Sequence, residues 1–290
     1  MRRHGLAALV AALLAIGVMP LAAQLRPVAD GTPLRQVEAF DLHSDHVGID
    51  YRIYVALPPQ YSEPDSTFPV IYNLDSDITF GMMTDISRML RLDSLIPATV
   101  VVGIAYDKVE AAWRENRNRD LTPVEMEPNE WISVSGGGPE FLAFIEEELI
   151  PVIDARYRTD PADRTLSGAS FAGLFTLYAM FEKPDLFHRY LAAVPSLWYG
   201  DGVLYQMEEA YARGRDDARA RLYMSGEGFA DSDWAPQYWH RMWDMTARLR
   251  QHEWENFHVK TEIMEGEHHA SAQPRSFTRG LLWLFEKPAP

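Results

Sequence analysis

The chain has 290 residues, 47% of them apolar, enough for one large α/β core or two small ones. It contains no cysteine, which excludes disulfides, thiol nucleophiles and cysteine-ligated zinc. Its 42 acidic residues against 27 basic ones give a net charge of −15, a surface that repels phosphate backbones and argues against nucleic acid as a partner.

The first 23 residues read as a secretory leader. Arg2 and Arg3 form a basic start, Leu6 to Met19 an apolar stretch too short to span a bilayer, and Leu21-Ala-Ala23 a cleavage site before Gln24. Its removal takes away two basic residues and no acidic ones, leaving −17. The expected mature protein is periplasmic or secreted, with no stable membrane insertion. No cysteine is present to carry a lipid anchor. No linker-like stretch divides residues 24–290, so they are expected to form a single domain.

Val37–Leu42 and Ile49–Leu57 alternate as β-strands, and Pro58-Pro59 stops the second. Phe68–Leu74 and Ala98–Ala105 are continuous apolar runs, as in strands buried on both faces. Asp85–Leu92 between them reads as a helix. Residues 106–137, with their charged cluster, Pro123, Pro128 and Gly136-Gly-Gly138, read as a long loop. Pro139–Ala155 is an amphipathic helix. Further strands are expected at Thr165–Gly168, Arg189–Val194, Arg221–Ser225 and Phe257–Met264. Helices are expected at Ala172–Phe181, Pro236–Gln251 and Thr278–Phe285. Trp239 and Trp243, one helical turn apart, read as core packing. Alternation of strands and helices implies a mostly parallel sheet with helices on both faces.

The strand-to-helix step at Gly168-Ala-Ser170-Phe-Ala-Gly173 has the layout of a nucleophile elbow: a serine on a sharp turn, flanked by small residues. A serine hydroxyl needs a base, and in this arrangement the chain order is serine, acid, histidine. His268 and His269 lie on the loop after the last strand, where that base belongs. Three acids, Glu227, Asp231 and Asp233, follow the strand that ends at Gly226, and the residues do not choose among them. A serine–histidine dyad is the alternative. The backbone N–H of Phe171, with those of Ser76 and Asp77 after the third strand, are candidates for an oxyanion hole. His43 and His46 have no third ligand placed by the sequence, so no metal is expected.

Taken together, several segments resemble the predicted-esterase family of α/β-hydrolases, which includes enterochelin-esterase-like and esterase-D-like proteins. They are Tyr51–Pro58, Pro69–Asp75, Val101–Ile104, Arg119–Pro123, Phe141–Ile145, Arg164–Ser170, Pro195–Trp198 and Gly266–His269, spanning residues 36 to 286. The resemblance implies the α/β-hydrolase fold with roughly eight strands, Ser170 as nucleophile and His269, the second of the histidine pair, as base. It carries Phe171 and the Asp75–Asp77 turn over as the oxyanion region. Trp198 and Arg119 are candidates for substrate contact. Three positions depart from the family pattern. Ser76 stands where glycine is usual, Ala169 replaces a histidine, and Phe229 stands where the family places its acid.

The expected function is an exported serine carboxylic-ester hydrolase that needs no cofactor. Its expected partner is a small-molecule ester, of siderophore type or an acyl sugar. Acyl transfer by the same machinery and a non-catalytic ligand-binding protein are the alternatives.

Overall fold

The computed structural model describes residues 36–107, 110–228 and 235–286. The expected leader therefore lies outside the described residues, as do Asp231, Asp233 and Trp234. Eight strands form one sheet in the order β1-β2-β4-β3-β5-β6-β7-β8. They are β1 Val37–His43, β2 Asp50–Ala56, β3 Phe68–Asn73, β4 Val100–Ala105, β5 Thr159–Ala169, β6 Arg189–Ala193, β7 Ala220–Gly228 and β8 Phe257–Glu265. The β1–β2 and β2–β4 pairings are antiparallel; every other neighbour runs parallel. All six residues of β4 are buried, which explains their unbroken apolar character.

The helices are α1 Ser76–Leu92, α2 Glu110–Asp120, α3 Gly138–Ala143, α4 Ile150–Arg156, α5 Phe171–Glu182, α6 Val203–Ala212, α7 Ala235–Gln251 and α8 Ala272–Leu284. They cover both faces of the sheet. Tyr190 and Ala192 of β6 join the core cluster containing Phe175 of α5, while Leu191 between them meets Gly280 of α8 on the other face. Residues 171–181 of α5 are all buried, so this helix shows no polar stripe.

Six elements differ from the sequence expectation, two of them in starting six residues early, β5 at Thr159 and α8 at Ala272. Residues 110–120 form a helix rather than loop. Its charged run conceals the helix because it is held by polar contacts instead of an apolar face. The α1 helix starts at Ser76 instead of Asp85, its first turn burying Ser76 and Thr79. Phe144–Leu149, between α3 and α4, is a π-helical turn. Pro151 follows directly and supplies no N–H, and the wider turn absorbs that mismatch without ending the helix. The α6 helix was not expected at all. It follows Gly200 and Gly202, both at positive φ. The tryptophan pair on α7 divides: Trp239 is half-buried, but Trp243 is 46% exposed and is not core.

The β8–α8 connection is braced beside its loop. Glu262 of β8 takes two hydrogen bonds from Arg279 of α8, each 2.8 Å, and one of 2.5 Å from the Tyr223 hydroxyl of β7. Arg279 is the main cause that holds the Glu262 carboxyl down at about 2. A depressed carboxylate contributes stability above its unfolded pKa, near 4.5, and loses it as pH falls towards about 2. Denaturant melts of Glu262→Gln and wild type should therefore differ most above pH ~4.5 and converge as pH falls towards ~2. A difference independent of pH would show that the carboxylate's charge is not the source.

Candidate active site

The parallel strands β5, β6, β7 and β8 all point their carboxyl ends to one edge of the sheet, where ligands of open α/β sheets bind. Ser170 sits at that edge between β5 and α5, with φ 62° and ψ −120°. A non-glycine residue there is strained, at a cost of about 1–3 kcal/mol that the surroundings must offset. They do so by packing and hydrogen bonding. A Cβ on Gly168 would lie 2.5 Å from the Ala172 carbonyl oxygen, and one on Gly173 would lie 2.9 Å from that of Ala193. These contacts require glycine two residues before and three residues after the serine. Ser170 N–H donates to Ala193 at 3.0 Å, and its carbonyl accepts from Leu174 and Ser196. Val194, in the bracing loop, has φ 41°, rare for a β-branched residue.

His269 lies on the β8–α8 loop, after Gly266 at φ 77°. Its Nδ1 is 3.2 Å from Oε2 of Glu227 at the end of β7. Of the three acids left open by the sequence, Glu227 is the one within the described residues. Its carboxylate is largely buried, its carbonyl accepts the Trp239 indole N–H at 2.5 Å, and Gly228 N–H bonds to the Glu267 carbonyl at 3.0 Å. A Cβ on Gly228 would lie 2.4 Å from the Met264 carbonyl oxygen, so glycine allows the two loops to meet. With Nδ1 turned to the acid, Nε2 is the nitrogen left for the serine. Among the described residues no hydrogen bond joins Ser170 Oγ to His269. The structure thus brings histidine and acid together and places the serine on the same sheet edge. His268 uses its backbone locally, with its N–H bonded to Ser271 Oγ at 2.9 Å.

The Asp75-Ser76-Asp77 turn joins β3 to α1, with Asp75 left-handed at φ 52°, ψ 37°. The first N–H groups of a helix have no carbonyl one turn earlier to bond, so the starts of α1 and α5 both present donors at this edge. The turn is held from below. Ser76 Oγ donates to the Asn73 carbonyl at 2.7 Å and accepts from Asn73 Nδ2 at 2.9 Å. Gly103 leaves room for it, since a Cβ there would lie 2.7 Å from that oxygen. Asp77 accepts the N–H groups of Tyr106 and Asp107, both at 3.0 Å, and the Trp113 indole N–H at 3.1 Å.

Asp75 makes a bidentate pair with Arg117, at 2.8 and 2.7 Å. The Asp75 side chain is buried and that of Arg117 is 14% exposed, and removing one partner of a buried pair typically costs about 3–5 kcal/mol. Burial alone would lower the Arg117 pKa; the Asp75 carboxylate overrides it and leaves the guanidinium above its ordinary value. The same guanidinium stands 5.6 Å from the Phe171 ring centroid and 5.5 Å from that of Trp113. Trp198 packs on Phe171 at 5.9 Å, half-buried, so an aromatic wall adjoins the serine. Arg119 is turned inward. Its Nε donates to Asp120 at 2.6 Å, and Asp120 also accepts the Tyr51 hydroxyl at 2.6 Å. Burial raises the Asp120 carboxyl, opposed by these hydrogen bonds.

The sequence did not single out Asn73 or Arg117, and it offered Trp239 only as core packing. The Trp113/Arg117 spacing of four residues was a signal, but only within a segment already recognised as helix.

A family profile for putative esterases matches residues 44–271. The ferri-bacillibactin esterase BesA of Bacillus subtilis is 36% identical over 159 residues, 51% of this chain and 54% of that protein. That alignment spans about half of the relative's length. The siderophore triacetylfusarinine C esterase of Aspergillus fumigatus is 28% identical over 282 residues, 88% of this chain and 94% of that protein. Among solved structures, the BES protein of Bacillus cereus superposes with a TM-score of 0.76 at 26% identity, covering 87% of this chain and 97% of that one. The profile takes in the elbow, the acid at the end of β7 and the histidine loop: the chain belongs to the putative esterase family.

Proposed function

We propose that this protein is an exported serine ester hydrolase acting through an acyl-enzyme on Ser170. The observation that carries this reading is the strained serine at the turn from β5 to α5, on the same sheet edge as a histidine already held by an acid. His269 Nε2 takes the Ser170 proton as Oγ attacks the ester carbonyl carbon. Glu227 holds Nδ1 and stabilises the imidazolium. The oxyanion is received by the Phe171 N–H and an N–H of the Ser76–Asp77 turn. The intermediate collapses as His269 protonates the leaving alkoxide. Water then enters, His269 accepts its proton, and the acid is released while Ser170 is re-protonated.

The substrate proposed is a siderophore-type ester. The support is twofold: aromatic rings of Phe171 and Trp198 beside the serine, suited to an aryl group, and relatives named for siderophore esters. Arg119 gives its Nε to Asp120, and its Nη2, buried without a partner among the described residues, keeps it a candidate substrate contact. The basic, apolar start of the chain supports export before action.

Purified protein should hydrolyse p-nitrophenyl butyrate and take a fluorophosphonate label on Ser170. Ser170→Ala should lose the label and at least about 1000-fold in kcat. Folded wild-type protein that takes no label would refute the reading. Glu227→Gln should lower kcat by at least about tenfold, whereas Asp231→Asn and Asp233→Asn should stay within about twofold; the reverse ranking would move the acid to the neighbouring loop. Trp198→Ala should raise KM for an aryl-substituted trilactone by about tenfold, and much less for p-nitrophenyl acetate. Equal effects on both would remove Trp198 from the substrate site.

A further inference from the structure

We propose that Arg117 is a positioning residue for the oxyanion hole, clamping its two halves in one geometry. The inference rests on the serine-hydrolase reading above. The two donor segments come from different parts of the chain: the Asp75–Asp77 turn after β3, and Phe171 after β5. Their amides must converge on one oxygen to within a fraction of an ångström, because electrostatic stabilisation of a transition state depends on fixed donors. The β3–β5 pairing runs one residue past β3, where Leu74 N–H donates to the Ser167 carbonyl at 2.9 Å, and stops short of both donor segments. Arg117 reaches both: its guanidinium binds the Asp75 carboxylate through two nitrogens and faces the Phe171 ring at 5.6 Å.

The geometry around this contact suits a clamp better than a general strut. Asp75 is left-handed; its carbonyl accepts the Ile78 and Thr79 N–H groups and the Thr79 hydroxyl from within α1, while its side chain ties it across to Arg117 immediately before the Ser76 amide. Trp113, one turn earlier on α2, lies against the same guanidinium and donates to Asp77. Thus α2 docks on the turn through two polar contacts from one helix face, on carboxylates either side of Ser76. Lysine cannot replace the planar fork, since it offers one point charge where two parallel hydrogen bonds are made.

A positioning role predicts a loss confined to the transition state. The test is steady-state hydrolysis of p-nitrophenyl butyrate, normalised to sites titrated to completion by a fluorophosphonate, with Tm measured for each variant. Arg117→Gln and Asp75→Asn should each lower kcat per titrated site at least about tenfold, with KM within about threefold. Asparagine tolerates the left-handed backbone, so the second variant removes the charge without the turn. The double variant should be no more than about twofold worse than the poorer single one, since the pair acts as a unit. Arg117→Lys should recover part of kcat. The control is Arg164→Gln, which breaks the Arg164–Asp154 ion pair of 2.5 Å in the middle of β5, six residues before Ser170. It should lower Tm and leave kcat within about twofold. Additive losses in the double variant, losses in KM alone, or wild-type kcat in Arg117→Gln would overturn the clamp. If Arg117→Gln does not fold, Arg117→Lys decides: a kcat-only loss supports the clamp and wild-type kcat overturns it. Wild type that takes no label refutes the hydrolase reading and the clamp with it. Labelled wild type with unaffected Arg117 variants refutes the clamp alone.

Discussion

The backbone of Ser170 is held in a conformation that a non-glycine residue does not choose, and much of the molecule is arranged to impose it. The strain is local, but the restraint comes from three directions. Gly168 and Gly173 let the chain close on itself, β6 supplies the Ala193 carbonyl, and the buried α5 fixes the exit direction. A larger side chain at either glycine would open the turn, and the hydroxyl would no longer stand free at the sheet edge.

Around that point the parallel sheet does the work of assembly. Glu227 stands at the end of β7 and His269 follows β8, so each is delivered to the same edge by its strand. The two strand ends meet at Gly228, and the Glu227 carbonyl is held by Trp239 of α7. The brace between Glu262, Arg279 and Tyr223 fixes β8 against α8 and so limits how far the histidine loop can wander. On the other side of the serine, a different kind of chemistry prevails. Polar groups that are buried or nearly so, Asn73, Ser76, Thr79, Asp75 and Arg117, support the Asp75–Asp77 turn where apolar packing would leave its direction undetermined. Such groups are costly to bury unless satisfied, and their dense hydrogen bonding here satisfies most of that demand.

Periodicity made the buried strands and the strongly apolar helices legible, because burial on two faces leaves an unbroken apolar run and burial on one face leaves an alternating one. The α2 helix escaped for the same reason. Its residues face polar partners supplied by a turn some forty positions away in the chain, and no local pattern records them. The start of α1 was hidden likewise, since its first buried residues are Ser76 and Thr79. Arg119, in a motif resembling a family signature, gives its Nε to its sequence neighbour Asp120 and keeps a buried Nη2 without a partner among the described residues.

By itself, the sequence determined the fold class and singled out Ser170 and His269 as candidates. Small residues around Ser170, its place between strand and helix, and the chain order of the later loops are all local or ordinal properties. The tertiary structure decided what depends on through-space distance. It placed Glu227 against His269, an acid that local spacing could not separate from Asp231 or Asp233. It also joined Arg117 to Asp75 and Phe171, residues from three separate segments. The reason is physical: a hydrogen bond or an ion pair is set by ångström-scale proximity, which the sheet creates only after distant parts of the chain have packed together.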